Sequence, residues 1–335
     1  MTQAPLGILP RVSVIMPVLN EERHLREAVL QILNQDYQGE IEVVMAVGPS
    51  RDATQQVADA LAAEFTSVHV VQNPSGKTPA ALNAAIARAA GDVVVRVDGH
   101  ALIPHDYVAN GVQVLNATGA DNVGGIMDAK GSTPFESAVA RAMTSRFGVG
   151  GAAFHIGGEP GPALTVYLGC FRADALARVG GYDETMERAQ DWEMNLRIRQ
   201  TGGVVWFTPQ MRVEYRPRAN TLALARQYHD YGRWRREVAR RHPETLSLRY
   251  LAAPIAVVLV ALGLIVGVIG LASGMTWLAL AGFAMPLGYL LANLLASLIS
   301  ALGKPRLGLR GTAALPLVYA TMHAAWGLGF LRGAA

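Results

Sequence analysis

A valine run, Val93-Val94-Val95-Arg96-Val97, leads directly into Asp98-Gly99-His100. A carboxylate and an imidazole two positions apart around a flexible glycine can converge on one divalent cation, which in turn can neutralise a diphosphate. Asp-Gly is equally an ordinary turn dipeptide, and the local sequence leaves both readings open. Asp191, in Ala189-Gln190-Asp191-Trp192-Glu193, sits where a helix should begin. There it is either a first-turn acid favoured by the helix dipole or a base that takes a proton from an attacking hydroxyl. Lys77, in Pro74-Ser75-Gly76-Lys77-Thr78, precedes a helix whose first amides favour an anion. Asn20 and Glu21, after Pro17-Val18-Leu19, are placed to hydrogen-bond a base or ribose, Asn20 alternatively serving as a helix cap. Neither Gly-x-Gly-x-x-Gly nor a Walker lysine loop occurs in the chain, which removes two common uses of an α/β sheet.

These residues are spaced by alternating strand-like and helix-like periods. Strands are expected at Val12 to Val18, Ile41 to Val47, Val68 to Gln72 and Val93 to Val97. Helices are expected from Glu22 to Gln35, Ala53 to Phe65 and Thr78 to Ala90, with Asp52 placed to cap the second. Such a series builds a mainly parallel sheet whose ligands lie beyond the carboxyl ends of the strands. After Met127 the pattern loosens; Gly148 to Pro162 suggests a mobile loop, Thr165 to Phe171 another strand and Ala189 to Gln200 a helix.

Composition divides the chain. Of 335 residues, 51% are hydrophobic and only 16% charged, and the mean hydropathy is positive, at +0.24. That is too apolar for a wholly water-soluble protein of this size. Residues 1–211 carry 15 basic and 22 acidic side chains, residues 212–249 carry 10 and 4, and the remainder 4 and none. The basic residues therefore flank apolar stretches, which argues against nucleic-acid binding and for a membrane neck. Tyr250 to Gly303 contains 54 residues without a single Asp, Glu, Lys or Arg, more than one crossing requires. Spans are expected at about 251–272, 277–301 and 312–331, with the Arg-rich neck and the Lys304, Arg306 and Arg310 loop on the cytoplasmic side. Pro286, Pro316 and His323 within the spans read as kinks and an interhelical histidine. A single cysteine, Cys170, allows no internal disulfide, and no signal peptide is expected. The expected organisation is a cytoplasmic catalytic domain (1–211), a basic amphipathic neck (212–249) and a multi-pass transmembrane region (250–335) in a bacterial cytoplasmic membrane.

Taken in order, several segments carry a resemblance. They are Val12-Ser13-Val14-Ile15-Met16-Pro17-Val18-Leu19-Asn20-Glu21, Gly48-Pro49-Ser50-Arg51-Asp52-Ala53-Thr54, Gly76 through Asn83, and Asp98-Gly99-His100. Further on come Gly169-Cys170-Phe171-Arg172, Gly180-Gly181-Tyr182-Asp183 and Gln190-Asp191-Trp192-Glu193. Together they resemble the family 2 glycosyltransferases of the GT-A fold, across residues 12 to about 200. The Tyr231-Gly232-Arg233-Trp234 neck and the apolar tail look most like membrane enzymes of bacterial exopolysaccharide assembly, of the succinoglycan-biosynthesis glucosyltransferase type.

The resemblance implies an α/β fold of GT-A type, with a mixed, mainly parallel sheet flanked by helices and a C-terminal all-α transmembrane region. It implies that Pro17, Asn20, Glu21, Asp52, Lys77 and Asp98 frame the nucleotide. Asp98 and His100 would hold a divalent metal, and Asp191 would be the catalytic base. Gly180, Gly181, Arg233 and Trp234 would lie at the acceptor or the donor diphosphate, with a positive-inside anchor the alternative for the last two. His100 in place of a second carboxylate favours Mn²⁺ over Mg²⁺. Gln190 in place of an acid leaves Asp191 one fewer neighbouring negative charge to raise its pKa. Five residues separate Gln227 from Arg233, unlike the Gln-x-x-Arg-Trp element of processive relatives, so processive synthesis is not implied. The activity implied is inverting transfer of a sugar from a nucleotide-sugar donor, UDP-glucose favoured, to a polyprenyl-linked saccharide. The alternatives are transfer onto polyprenyl phosphate itself, and a non-catalytic membrane scaffold that binds sugar nucleotides.

Overall fold

The computed structural model describes residues 6–333. In chain order it contains β1 (Val12–Val18), α1 (Leu25–Leu33), β2 (Ile41–Val47), α2 (Thr54–Glu64), β3 (Val68–Gln72), α3 (Thr78–Arg88), β4 (Val93–Arg96), α4 (Tyr107–Thr118), β5 (Asn122–Ala129), α5 (Pro134–Met143) and α6 (Arg146–Val149). There follow α7 (Ala153–Ile156), β6 (Gly161–Pro162), β7 (Tyr167–Arg172), α8 (Ala173–Val179), α9 (Gln190–Gln200), β8 (Val205–Tyr215), α10 (Thr221–Arg241), α11 (Leu248–Ala272), α12 (Thr276–Ala301) and α13 (Leu309–Arg332). The chain separates into two compact units, residues 1–128 with 153–215, and residues 129–152 with 216–335.

The first unit is built on one eight-stranded sheet in the order β3-β2-β1-β4-β7-β5-β8-β6. β3, β2, β1 and β4 run parallel, while β7 is antiparallel to both β4 and β5. Apolar, mostly β-branched side chains on alternating positions bury both faces: Val12, Val14, Met16 and Val18 point into one core with Leu25, Val29 and Leu115, and Ile15 and Val44 into the other with Leu82 and Met194. The mixed sheet expected from the sequence is the one formed. The stretch 148–162 differs from the loop expected, because Arg146–Val149 and Ala153–Ile156 each close a short helix. Gly150, Gly157 and Gly158 supply the positive φ between and after them.

The second unit is helical. α11 and α12 form an antiparallel hairpin packed through Gly263, Gly267, Gly270 and Gly282. A Cβ on Gly282 would lie 2.2 Å from the Gly267 amide nitrogen, so only small residues permit this approach. α11, α12 and α13 are each long and apolar enough to cross a membrane. α10 carries the basic neck; its buried Glu237 is gripped by Arg240 and Arg241, each 2.7 Å away, which hold the carboxyl down at about 2.

Candidate active site

The carboxyl ends of β1, β2 and β4 lie side by side, since Ile15 pairs with Arg96 and Val18 with Val47. Chain register alone therefore gathers the loops that begin at Leu19, Gly48 and Val97. Asn20 adopts a left-handed φ of 57°, a conformation asparagine tolerates better than most residues. Its Oδ1 accepts from the Arg51 amide (2.8 Å), and its own amide donates to Ser50 Oγ (3.0 Å). Asn20 thus ties two loops together and does not cap a helix. Asp52 accepts from both the amide and the hydroxyl of Thr54 and from the Glu22 amide, so it closes a turn one position before the helix cap, Ala53. Those hydrogen bonds, that of the Thr54 hydroxyl foremost, lower its pKa.

Gly99 lets the β4 loop approach the β1 loop. A Cβ there would sit 3.2 Å from Glu21 Cγ and 3.6 Å from the carbonyl of Pro17. The approach brings His100 Nδ1 within 2.7 Å of Glu21 Oε1, with the imidazole largely exposed and the carboxylate mostly buried.

The centre of the site is Arg96, which the sequence reading passed over. Its side chain is 6% exposed. Nε and Nη2 both donate to Asp98 Oδ1, at 3.0 and 2.9 Å, while Nη1 donates to Asp191 Oδ1. One guanidinium thereby joins the carboxylate at the end of β4 to the carboxylate on the first turn of α9. The signal available in the sequence was a lone charge inside a valine run, because a buried arginine requires an acidic partner. Asp191 retains 30% exposure, yet removal of its carboxyl from water is the leading influence and raises its pKa. Arg96 opposes that rise and the Asp98 charge adds to it. Burial thus does what an acid at position 190 would have done.

Asn83 fixes the opposite wall. It accepts from the Tyr182 amide (2.7 Å) and donates to the Tyr182 carbonyl (2.9 Å) and Glu184 (3.0 Å). Gly180 and Gly181 make the turn this clamp holds, both at positive φ, and a Cβ on Gly181 would come within 2.6 Å of Asn83 Oδ1. Tyr182 is buried beside Arg96 and Asp191. Lys77 reaches Glu187 at 2.8 Å, across the loop that leads into α9.

The structure thus brings together Pro17, Glu21, Asp98 and His100, and links Asp98 to Asp191. Arg233 and Trp234 belong to α10 of the other unit, where Arg233 Nε donates to the Gly333 carbonyl (3.0 Å). Among the described residues no three His, Cys, Asp or Glu side chains form a ready metal cage. Asp98 and His100 still suit a cation completed by substrate phosphates and water, the usual arrangement for Mg²⁺-type sites. The hydrogen bond from His100 Nδ1 to Glu21 is of the carboxylate–imidazole kind that orients histidine rings in metal sites.

The family model for glycosyl transferase family 2 matches residues 13–178. The chain is similar to the succinoglycan biosynthesis protein ExoA of Rhizobium meliloti (strain 1021), 33% identical over 95% of this chain and 93% of that protein. It is also 26% identical to a dolichyl N-acetyl-alpha-D-glucosaminyl phosphate 3-beta-D-2,3-diacetamido-2,3-dideoxy-beta-D-glucuronosyltransferase of Methanococcus voltae, over 66% of this chain and 71% of that one. Among solved structures, the mannosyltransferase PcManGT from Pyrobaculum calidifontis, in complex with GDP-Man and Mn²⁺, superposes with a TM-score of 0.60 at 22% identity, covering 96% of this chain and 88% of its own. At that identity the likeness establishes the fold.

Proposed function

The chain belongs to glycosyl transferase family 2, and from that premise we propose that it is a membrane-bound, inverting enzyme of polysaccharide or glycolipid assembly. It moves one sugar from a nucleotide donor, UDP-glucose favoured, to a hydroxyl of a polyprenyl-linked saccharide on the cytoplasmic face. The observation that carries this reading is that Arg96 holds both Asp98 and Asp191, with the His100–Glu21 pair in the loop that follows Asp98, at the carboxyl ends of the parallel strands. The similarity to a succinoglycan biosynthesis protein over nearly the whole chain supports the polymer context. The three apolar helices support a membrane location.

In this reading the acceptor hydroxyl attacks the anomeric carbon from the face opposite the departing nucleotide diphosphate. The new C–O bond forms as the bond to the diphosphate oxygen breaks, and Asp191 takes the hydroxyl proton. Asp98 and His100 would hold a divalent cation, Mn²⁺ favoured, which when bound would supply positive charge to the leaving diphosphate. Arg96 keeps Asp191 ionised in a partly dehydrated site and fixes its direction. Glu21 orients the His100 ring, and the Asn20, Ser50 and Asp52 network shapes the loops on which nucleotide base and ribose rest. Asn83 sets the Gly180–Tyr182 turn beside the base.

Arg96 also favours a second reading. The guanidinium occupies one oxygen of Asp191 and offsets part of the basicity that burial gives it, which suits an acceptor that is already an anion, as in direct transfer onto polyprenyl phosphate. Nucleotide release by the purified full-length protein tests both, using UDP-, GDP- and dTDP-sugars with Mn²⁺, Mg²⁺ or chelator, and with polyprenyl phosphate or a bacterial lipid-linked saccharide extract. Release that depends on donor, metal and lipid supports transfer, and the accepting lipid decides between the readings. Absence of release from folded protein under every condition overturns both.

A further inference from the structure

α13 differs from the other two apolar helices in what it touches. The buried share of its apolar stretch is 39%, against 17% in each of α11 and α12. At its start, a Cβ on Gly311 would lie 3.2 Å from the Pro134 carbonyl of α5. At its middle, His323 Nε2 donates to the Phe147 carbonyl (2.8 Å), and Met322 lies against Gly148. At its end, Gly329 meets the His229 carbonyl and Gly232 meets the Trp326 carbonyl, each with room for no side chain. There Arg236 donates to the Phe330 (3.1 Å) and Leu331 carbonyls.

These partners are not apolar. α10 contains Arg226, Asp230, Arg233, Arg235, Arg236, Glu237, Arg240 and Arg241, and the α5–α6 segment contains Glu136, Arg141 and Arg146. From Gly311 to Leu331 the helix runs about 30 Å at 1.5 Å per residue, the full thickness of a bilayer's hydrocarbon core. If α13 crossed that core, its partners would carry their charges into lipid, which is strongly unfavourable. Its contacts with α12 run from that helix's middle, where Tyr289 meets His323 Nδ1 at 3.1 Å, to its end, and those with α11 lie near the start. Gly327 packs on Ala253 near the start of α11, Tyr319 bonds Ser300 at the end of α12, and Asn293 donates to the Pro316 carbonyl. Arg141 binds the Ser300 and Pro305 carbonyls at that same end.

The face left over is a single stripe. Ala313, Leu317, Ala324, Leu328 and Leu331 are exposed at spacings of one helical face, flanked by Lys304, Arg306, Arg310 and Arg332. An apolar stripe bordered by cations is the signature of a helix lying in the headgroup–acyl boundary.

We propose that α13 does not span the membrane but lies along the leaflet where α11 begins and α12 ends, its Leu317–Leu328–Leu331 stripe inserted among the acyl chains. The membrane is then crossed twice, by the α11–α12 hairpin alone, and the end of α13 at Arg332 lies on the side opposite the Ser273–Thr276 turn. This rests on the membrane reading above and is independent of the chemistry assigned to Asp191.

The test uses the full chain in cells, where the only native cysteine, Cys170, is buried. Ser273→Cys and Ala335→Cys are labelled separately with a membrane-impermeant maleimide in intact spheroplasts and again after permeabilisation. Labelling of one variant from outside and of the other only after permeabilisation, whichever way round, is the expected result. Labelling of both from outside means three crossings and overturns the proposal. Labelling of neither until permeabilisation overturns it through the membrane reading itself and leaves the family chemistry intact.

Discussion

Arg96 and Asp191, 95 residues apart in the chain, are joined by a direct guanidinium–carboxylate hydrogen bond, and the same guanidinium holds Asp98. A cation on the last residue of β4 thereby sets the position and the charge state of two carboxylates that the strand register and the first turn of α9 merely bring near. Removing it leaves two acids facing each other in a partly dehydrated site.

Arg96→Met is therefore expected to destabilise the fold by about 3–5 kcal/mol, the usual cost of stranding one partner of a buried pair. Turnover should fall far more than donor affinity. Arg96→Lys restores charge without the fork and should recover stability better than activity. Thermal unfolding of the three proteins, beside kcat and KM for the donor, checks the order.

Asp191→Asn removes the proposed base while keeping the side-chain shape. Transfer to a hydroxyl acceptor is expected to drop about 10²–10⁴-fold, with nucleotide binding retained. Equal activity in a direct assay of saccharide product would exclude Asp191 as the base.

The pH dependence follows from the same residue. Burial raises the Asp191 carboxyl above its ordinary 3.8, and the base works only when ionised. The acid limb of kcat/KM should accordingly lie above the ordinary aspartate range and move further up in Arg96→Lys if the longer-range cation holds it less well. Folding responds with the opposite sign: the native state binds this proton more tightly than the unfolded chain. Its stabilising contribution is full below the ordinary aspartate range and is lost as pH rises through the native value. Melting temperatures of the parent and Asp191→Asn proteins across that window should diverge accordingly.

His100 and Glu21 should behave as a ligand and its support. His100→Ala is expected to raise the metal concentration needed for half-maximal donor binding strongly, and Glu21→Gln by about 10–100-fold, the range typical of a lost orienting partner. Titrating Mn²⁺ into donor-binding assays by calorimetry distinguishes the two.

Helix contacts in the second unit give a stability pair. Gly232→Val places a side chain into the Trp326 carbonyl, 2.0 Å from where Cβ would stand, and should cost about 3 kcal/mol or fail to assemble. Gly288→Ala, with open space around it, should change stability by no more than about 1 kcal/mol. Thermal unfolding in detergent compares them.

Much of this molecule could be read from local pattern. The strands at residues 12–18, 41–47 and 68–72 form as their β-branched runs require, and the charge-free stretch after Tyr250 forms the apolar helices its length demands. Strand alternation and helix-length apolar runs are properties of neighbouring residues, so they survive in one dimension. The Asp98-Gly99-His100 turn was visible for the same reason.

What the sequence could not hold was partnership at a distance. Parallel register sets the ends of β1 and β4 together so that Glu21 meets His100, while the packing of α3, α8 and α9 on the sheet brings Asn83 to the Tyr182 backbone and Asp191 to Arg96. The environment of α13 is of the same kind. Composition made it a third span, while its arginine-bearing neighbours along its length argue otherwise, because hydropathy counts a helix's own residues and only packing decides which surface they face.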